Sequence, residues 1–169
     1  MVTLFLDFDG VLHPDAVYLT RKGPQLRGEG RLFMWAHYLT HELQAFPELR
    51  IVLSTSWVRY VGFSKAKKRL PLDLQCRVVG ATWHSSMAKE LTEGVWWDQS
   101  SRYQQILKYL AHSPSGEWLA IDDDLSGWAE ADRHKVIATL PELGLSSELT
   151  RAELHHKLGI LSGHSFLRR

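Results

Sequence analysis

The stretch VTLFLDFDGVL, residues 2–12, decides how the rest of the chain is read. Val2 to Leu6 is an unbroken apolar, β-prone run, the pattern of a strand buried on both faces. It ends abruptly at Asp7 and Asp9, and Gly10 then permits a tight turn. Two residues apart, the carboxylates leave the strand on the same side.

The same grammar recurs downstream. Ile51 to Leu53 reads as a second strand closed by Ser54, Thr55 and Ser56, and Arg77 to Thr82 as a third. Trp118 to Ile121 is a fourth, running into Asp122, Asp123 and Asp124, and Lys135 to Thr139 a weaker fifth. Between them lie helical stripes. Leu32, Trp35, Leu39, Leu43 and Phe46 share one face, which Pro47 ends. A helix is expected through the basic stretch Lys65 to Arg69, ending near Pro71. Ser101 and Gln104 form a capping box opening a helix that should bury Tyr103, Ile106, Leu107 and Leu110. Thr150 and Glu153 form another, before a final helix burying Leu154 and Leu158. The alternation predicts an α/β fold: a Rossmann-like, mainly parallel sheet with helices on both faces. Ligands of such sheets bind beyond the carboxyl ends of the strands.

At 169 residues the chain fits one domain, 1–169. Leu12 to Gly30, with Pro14, Gly23, Pro24, Gly28 and Gly30, reads as an irregular flap, and no interval is long enough for a sizeable cap. A single cysteine, Cys76, excludes an intrachain disulfide framework and favours a cytoplasmic setting. Neither a signal peptide nor a membrane span is expected, because acids interrupt the N-terminal apolar run and no later run is long enough. With a net charge of +1, bulk electrostatics predicts neither nucleic-acid nor membrane binding.

In a parallel sheet Asp7 and Asp9, Ser54 and Thr55, and Asp122 to Asp124 converge on one edge. Carboxylates gathered there require a cation, and a hard dication with oxygen ligands, chiefly Mg2+, is expected. Such a site suits phosphoryl transfer, which depends on charge neutralisation and in-line positioning. The motifs DFDGVL (7–12), IVLSTS (51–56), a basic residue opening the helix before strand four, and IDDD (121–124) together resemble the haloacid dehalogenase (HAD) superfamily. The resemblance implies a phosphatase in which Asp7 is the nucleophile and Asp9 the general acid and base. It makes Thr55 the ligand of a phosphoryl oxygen, or Ser54 if the strand ends one residue earlier. It makes Arg102 the cation that neutralises nucleophile and phosphate, with Lys89 and Lys108 as weaker candidates. Asp122 would hold the metal with Asp7 and the backbone carbonyl of Asp9, while Asp123 would act through water and Asp124 as a cap. Gly10, Ser54, Ser56 and Trp57 are expected around the substrate. More loosely, STSW (54–57), Arg102 and IDDD resemble the small uncapped HAD domains of RNA-repair proteins.

Trp57, Trp83, Trp96, Trp97 and Trp128 all fall in segments leaving the acidic edge of the sheet. Aromatic faces there would suit a nucleobase, so a nucleotide or nucleic-acid end joins phosphorylated small molecules as an expected substrate. The run Lys65, Lys67, Lys68 and Arg69 would track a phosphate backbone, or simply be a solvated helix face. The nine histidines lack ligand spacing and read as ordinary core or surface residues. A receiver domain is excluded, since Thr82 and Trp83 follow strand three where it needs its phosphoacceptor. A HAD-like phosphate-binding or regulatory module without turnover is the alternative.

Overall fold

The computed structural model describes residues 2–89, 91–113 and 116–163. The chain opens with β1 (Val2–Leu6), the hairpin strands β2 (Val17–Thr20) and β3 (Gly23–Leu26), α1 (Ala36–Glu42) and β4 (Arg50–Leu53). Three short helices follow, α2 (Ser56–Val61), α3 (Phe63–Lys67) and α4 (Leu72–Arg77), leading into β5 (Val78–Ala81). The remainder is α5 (Leu91–Gln99), α6 (Arg102–His112), β6 (Glu117–Asp122), β7 (Val136–Ala138) and α7 (Glu148–Leu161). Among the described residues the main sheet has five strands in the order β5-β4-β1-β6-β7, all paired in parallel.

β1 sits in the middle because all of it can be buried. Leu4 and Leu6 face a core containing Leu39 of α1 and Leu154 and Leu158 of α7. Phe5, pointing the other way, packs with Tyr103 and Ile106 of α6. The predicted α/β architecture, a parallel sheet covered on both faces and without a large cap, is therefore the observed one. Among the described residues no helix is long and apolar enough to cross a membrane.

From β1 the chain builds β4 and β5 on one side, then returns to place β6 and β7 on the other. The switch falls at β1, which opens a crevice at its carboxyl end. Register then delivers the polar residues. Leu6 is level with Leu53 and with Ile121, so Asp7, Ser54 and Asp122 emerge together. The ladder runs one step further, with Asp7 N–H donating to the Ile121 carbonyl (3.2 Å) and Ser54 N–H to that of Leu6 (2.8 Å).

Local details differ from the sequence reading. The flap is not irregular: β2 and β3 pair in an antiparallel hairpin. Its turn is closed by the Thr20 hydroxyl donating to the Gly23 carbonyl (2.8 Å). The basic helix is broken into α2 and α3 by Gly62, whose φ of 87° no helix can contain. Leu107 is exposed, and Gln105 is buried in its place, because α6 turns that face toward the loop before it. The last helix begins earlier than expected. Ser147 caps it, accepting from Thr150 N–H at 3.3 Å, while Glu153 pairs with Lys157 instead of reaching back.

The capping box of α6 matches the sequence reading: Ser101 Oγ accepts from Gln104 N–H (3.3 Å) and Gln104 Oε1 from Ser101 N–H (2.9 Å). Ser101→Ala should destabilise the fold by about 1 kcal/mol, measured by urea unfolding at constant slope. A loss under ~0.3 kcal/mol would mean that the cap contributes little beyond water.

Candidate active site

Asp7 and Asp122 are buried and Asp123 is half-buried, and one carboxylate oxygen from each lies within 4.8 Å of the others. Each follows from backbone placement: Asp7 and Asp122 extend adjacent strands, and Asp123 begins the turn after β6. Gly10, at φ 68°, makes room for Asp123, since a Cβ there would stand 2.3 Å from its Oδ2. The Gly10 carbonyl is tied to Thr139, whose hydroxyl donates to it at 2.7 Å.

Among the described residues one cation enters this cluster. Arg102, in the first turn of α6, donates from Nε to Asp122 Oδ2 at 3.0 Å, and its Nη2 lies 3.6 Å from Asp7 Oδ1. Its third nitrogen donates to Gln105 Oε1 at 3.3 Å. The Gln105 amide is oriented by donating to the carbonyls of Trp97 (2.9 Å) and Ser100 (3.3 Å), which leaves its oxygen for the guanidinium. The other basic candidates lie elsewhere. Lys108 pairs with Glu93 and stands over the Trp96 ring, and Lys89 is exposed.

Burial of like charges shapes the titration. Desolvation first, then the neighbouring Asp9 charge, pushes Asp7 up to about 6, although Arg102 opposes the shift. Asp122 is raised well above the carboxylate range by burial and by Asp7. Asp123 is pushed up to about 7 by burial, then by Asp7 and Asp15. Burial disfavours the Arg102 charge, but Asp7 and Asp122 outweigh it and raise its pKa. Asp124 is different: the Ser126 side chain, then the Ser126 N–H that donates to it at 2.8 Å, lower its pKa and make it a turn cap.

The donor set fits a hard dication. Among the described residues Asp7 Oδ1 is buried without a hydrogen-bond partner, and so is Ser54 Oγ. A single guanidinium beside three carboxylates leaves unbalanced negative charge, and all the clustered donors are oxygens. Asp7, Asp122 and Asp123 are the residues that could hold such an ion.

The side chain of Asp9 stands apart from that cluster. Its Oδ1 and Oδ2 accept from the Trp57 indole N–H at 3.1 and 3.0 Å, and Oδ1 lies 3.0 Å from His13 Nε2. Phe33 N–H donates to His13 Nδ1 at 3.2 Å. With Nδ1 accepting, Nε2 carries the proton and donates to Asp9. His13 is fully buried, edge-on to Phe33 at a centroid distance of 4.9 Å. Sequence reasoning missed His13, Gln105 and Thr139. Only His13 carried a usable clue, an imidazole four residues after Asp9 in the turn that leaves the site.

Other predicted site residues are placed as follows. Thr55 is buried, caps α2 by accepting from Trp57 N–H at 3.4 Å, and its hydroxyl hydrogen-bonds Asp7. Ser56 is half-buried at the start of α2. Trp57 is not an open stacking face. It is 3% exposed and packs against Phe8, Phe33 and His13, because its indole N–H is committed to Asp9. Trp83, Trp97 and Trp128 are likewise buried, and half-buried Trp96 is covered by Lys108.

The family described as the HAD domain in Swiss Army Knife RNA repair proteins matches residues 3–149, which is most of the chain, from β1 to the start of α7. The chain belongs to that HAD family, and the membership supports a HAD-like phosphohydrolase in general. No curated protein and no solved structure matches it significantly.

The raised carboxyl groups fix the sign of a pH effect. Each binds its proton more tightly folded than unfolded, so the metal-free fold should lose stability as pH rises from ~4 to about 7. Asp7→Asn removes one of these charges. In chelator its thermal midpoint should exceed that of the wild type at pH 7 and converge with it only near pH ~4, where Asp7 is protonated in both states. A lower midpoint for the variant at pH 7 would show that Asp7 is net stabilising.

Proposed function

We propose that the protein is a Mg2+-dependent phosphohydrolase that cleaves a phosphate monoester through an aspartyl-phosphate on Asp7. The observation that carries the reading is Asp7 Oδ1: buried, without a hydrogen bond, and flanked by Arg102 and two further carboxylates. In the first step an Asp7 oxygen attacks phosphorus, the ester P–O bond breaks, and Asp9 protonates the departing oxygen. In the second, Asp9 takes a proton from water, the water oxygen attacks phosphorus, and the Asp7 acyl phosphate opens to release inorganic phosphate. Arg102 neutralises the phosphoryl oxygens and Thr55 hydrogen-bonds one of them. Asp7, Asp122 and Asp123, with the Asp9 carbonyl, would hold Mg2+, which would supply further charge neutralisation.

We further propose a nucleotide or phosphorylated nucleic-acid end as substrate, in keeping with the RNA-repair description of the family. A cleft of about 300 Å³ leads away from Arg102 and Asp124 between α2 and the start of α6. Ser56, Ser100 and Ser101 line it, Ser100 Oγ donating to the Trp96 carbonyl and Ser101 Oγ capping α6. Tyr60, 63% exposed at the same cleft, offers the open aromatic face that Trp57 does not. Beside it Arg59 is held rigid, bidentate to Asp98 at 2.7 Å and stacked 4.3 Å over Trp83. A reducing cytoplasm suits the exposed free thiol of Cys76.

Asp7→Asn should abolish turnover, and residual activity within ~10-fold of wild type would remove Asp7 from its role. Asp122→Ala should raise the Mg2+ concentration needed for half-maximal rate far more than Asp124→Ala, whose carboxylate serves Ser126. Calcium should inhibit, because its looser coordination misplaces the phosphoryl group.

Tyr60→Ala should lower the preference for a nucleoside monophosphate over a small aryl phosphate by roughly tenfold. An unchanged ratio of kcat/KM values would dismiss the cleft as the base site and leave the phosphatase reading standing.

A further inference from the structure

We infer that His13 and Trp57 are positioning residues that fix which oxygen of Asp9 carries the transferred proton. The inference rests on the reading of Asp9 as general acid and base. An ionised carboxylate oxygen offers two lone pairs. Oδ1 meets two donors, His13 Nε2–H at 3.0 Å and the shared Trp57 indole N–H at 3.1 Å. Oδ2 meets only the indole, at 3.0 Å. One lone pair therefore stays open, and it is on Oδ2. That oxygen gives the proton to the leaving group and takes it back from water.

The clamp is itself held in place. Phe33 N–H on Nδ1 selects the imidazole tautomer that can donate to Asp9. Phe33 also packs against His13 and Trp57 at centroid distances of 4.9 and 5.2 Å, and Phe8 closes on Phe33 and Trp57 at 5.1 and 5.8 Å. Rotation of Asp9 would break bonds to two buried groups, His13 fully enclosed and Trp57 nearly so. The flap adds a connection: it leaves after His13 and returns through Phe33, and Trp35 N–H donates to the Leu12 carbonyl at 2.9 Å across its root. Pre-aligned carboxylates of this kind gain rate through orientation.

The test compares two leaving groups, because an alkyl ester needs protonation in the first step far more than an activated aryl ester. His13→Phe keeps a ring and removes both nitrogens, His13→Gln returns an amide N–H near the position of Nε2, and Trp57→Phe removes the indole donor. For His13→Phe, kcat/KM with glycerol phosphate should fall by roughly 10²-fold, and with p-nitrophenyl phosphate by less than ~10-fold. His13→Gln should recover most of the alkyl rate, and Trp57→Phe should show the same alkyl-selective loss. Equal losses on both esters in folded variants, or a glutamine no better than phenylalanine, would overturn the clamp. Should His13→Phe lack a cooperative thermal transition, Trp57→Phe decides alone. Asp9→Asn supplies the reference: without alkyl-selective loss there, the acid–base reading fails and the clamp with it. Selective loss in Asp9→Asn but not in the two clamp variants refutes the clamp alone.

Discussion

Two buried carboxylates paired with one guanidinium, and a half-buried third beside them, set the terms for the rest of this molecule. Removing charge from water is expensive, and Arg102 offsets only part of it. The surroundings are organised to hold that arrangement. Ser101 caps the helix that presents Arg102, and Gln105 steadies its guanidinium from one turn along. Parallel register brings Asp7 level with Asp122, and a glycine at position 10 lets Asp123 close in. The strain is stored where a divalent ion and a phosphoryl group would relieve it, the usual place for a protein to give up stability.

Asp7 and Asp9 differ in environment far more than their two-residue separation suggests. Asp7 faces the carboxylate cluster with one oxygen unbonded, which suits the nucleophilic role proposed for it. Asp9 is turned out of it by two donors, His13 four residues along and Trp57 from a distant part of the chain. Separating two nearby acids by environment is how a single fold assigns them different chemical tasks.

The aromatic residues carry a related lesson. Buried tryptophans build the walls behind the site, and the cleft in front keeps one open tyrosine. The hairpin of β2 and β3 contributes no residue to the lining of that cleft. An open site beside a rigid arginine and an exposed ring suits the end of a longer substrate.

Periodicity and turn chemistry were enough to determine the parallel α/β sheet, its polar strand ends and the cap at Ser101, because these depend on spacing along the chain. Convergence of Asp7, Asp122 and Asp123 was legible too, since parallel strands deliver their carboxyl ends to one edge. Orientation was not. Whether Trp57 faced solvent or Asp9, whether Gln105 or Leu107 turned inward, and how His13 met Asp9 depended on contacts between distant segments. Phe33 shows why: its N–H sets the tautomer of a histidine twenty residues earlier, which no local pattern encodes. Sequence determines which groups reach an edge, whereas only packing in three dimensions decides which atom of each is left free to react.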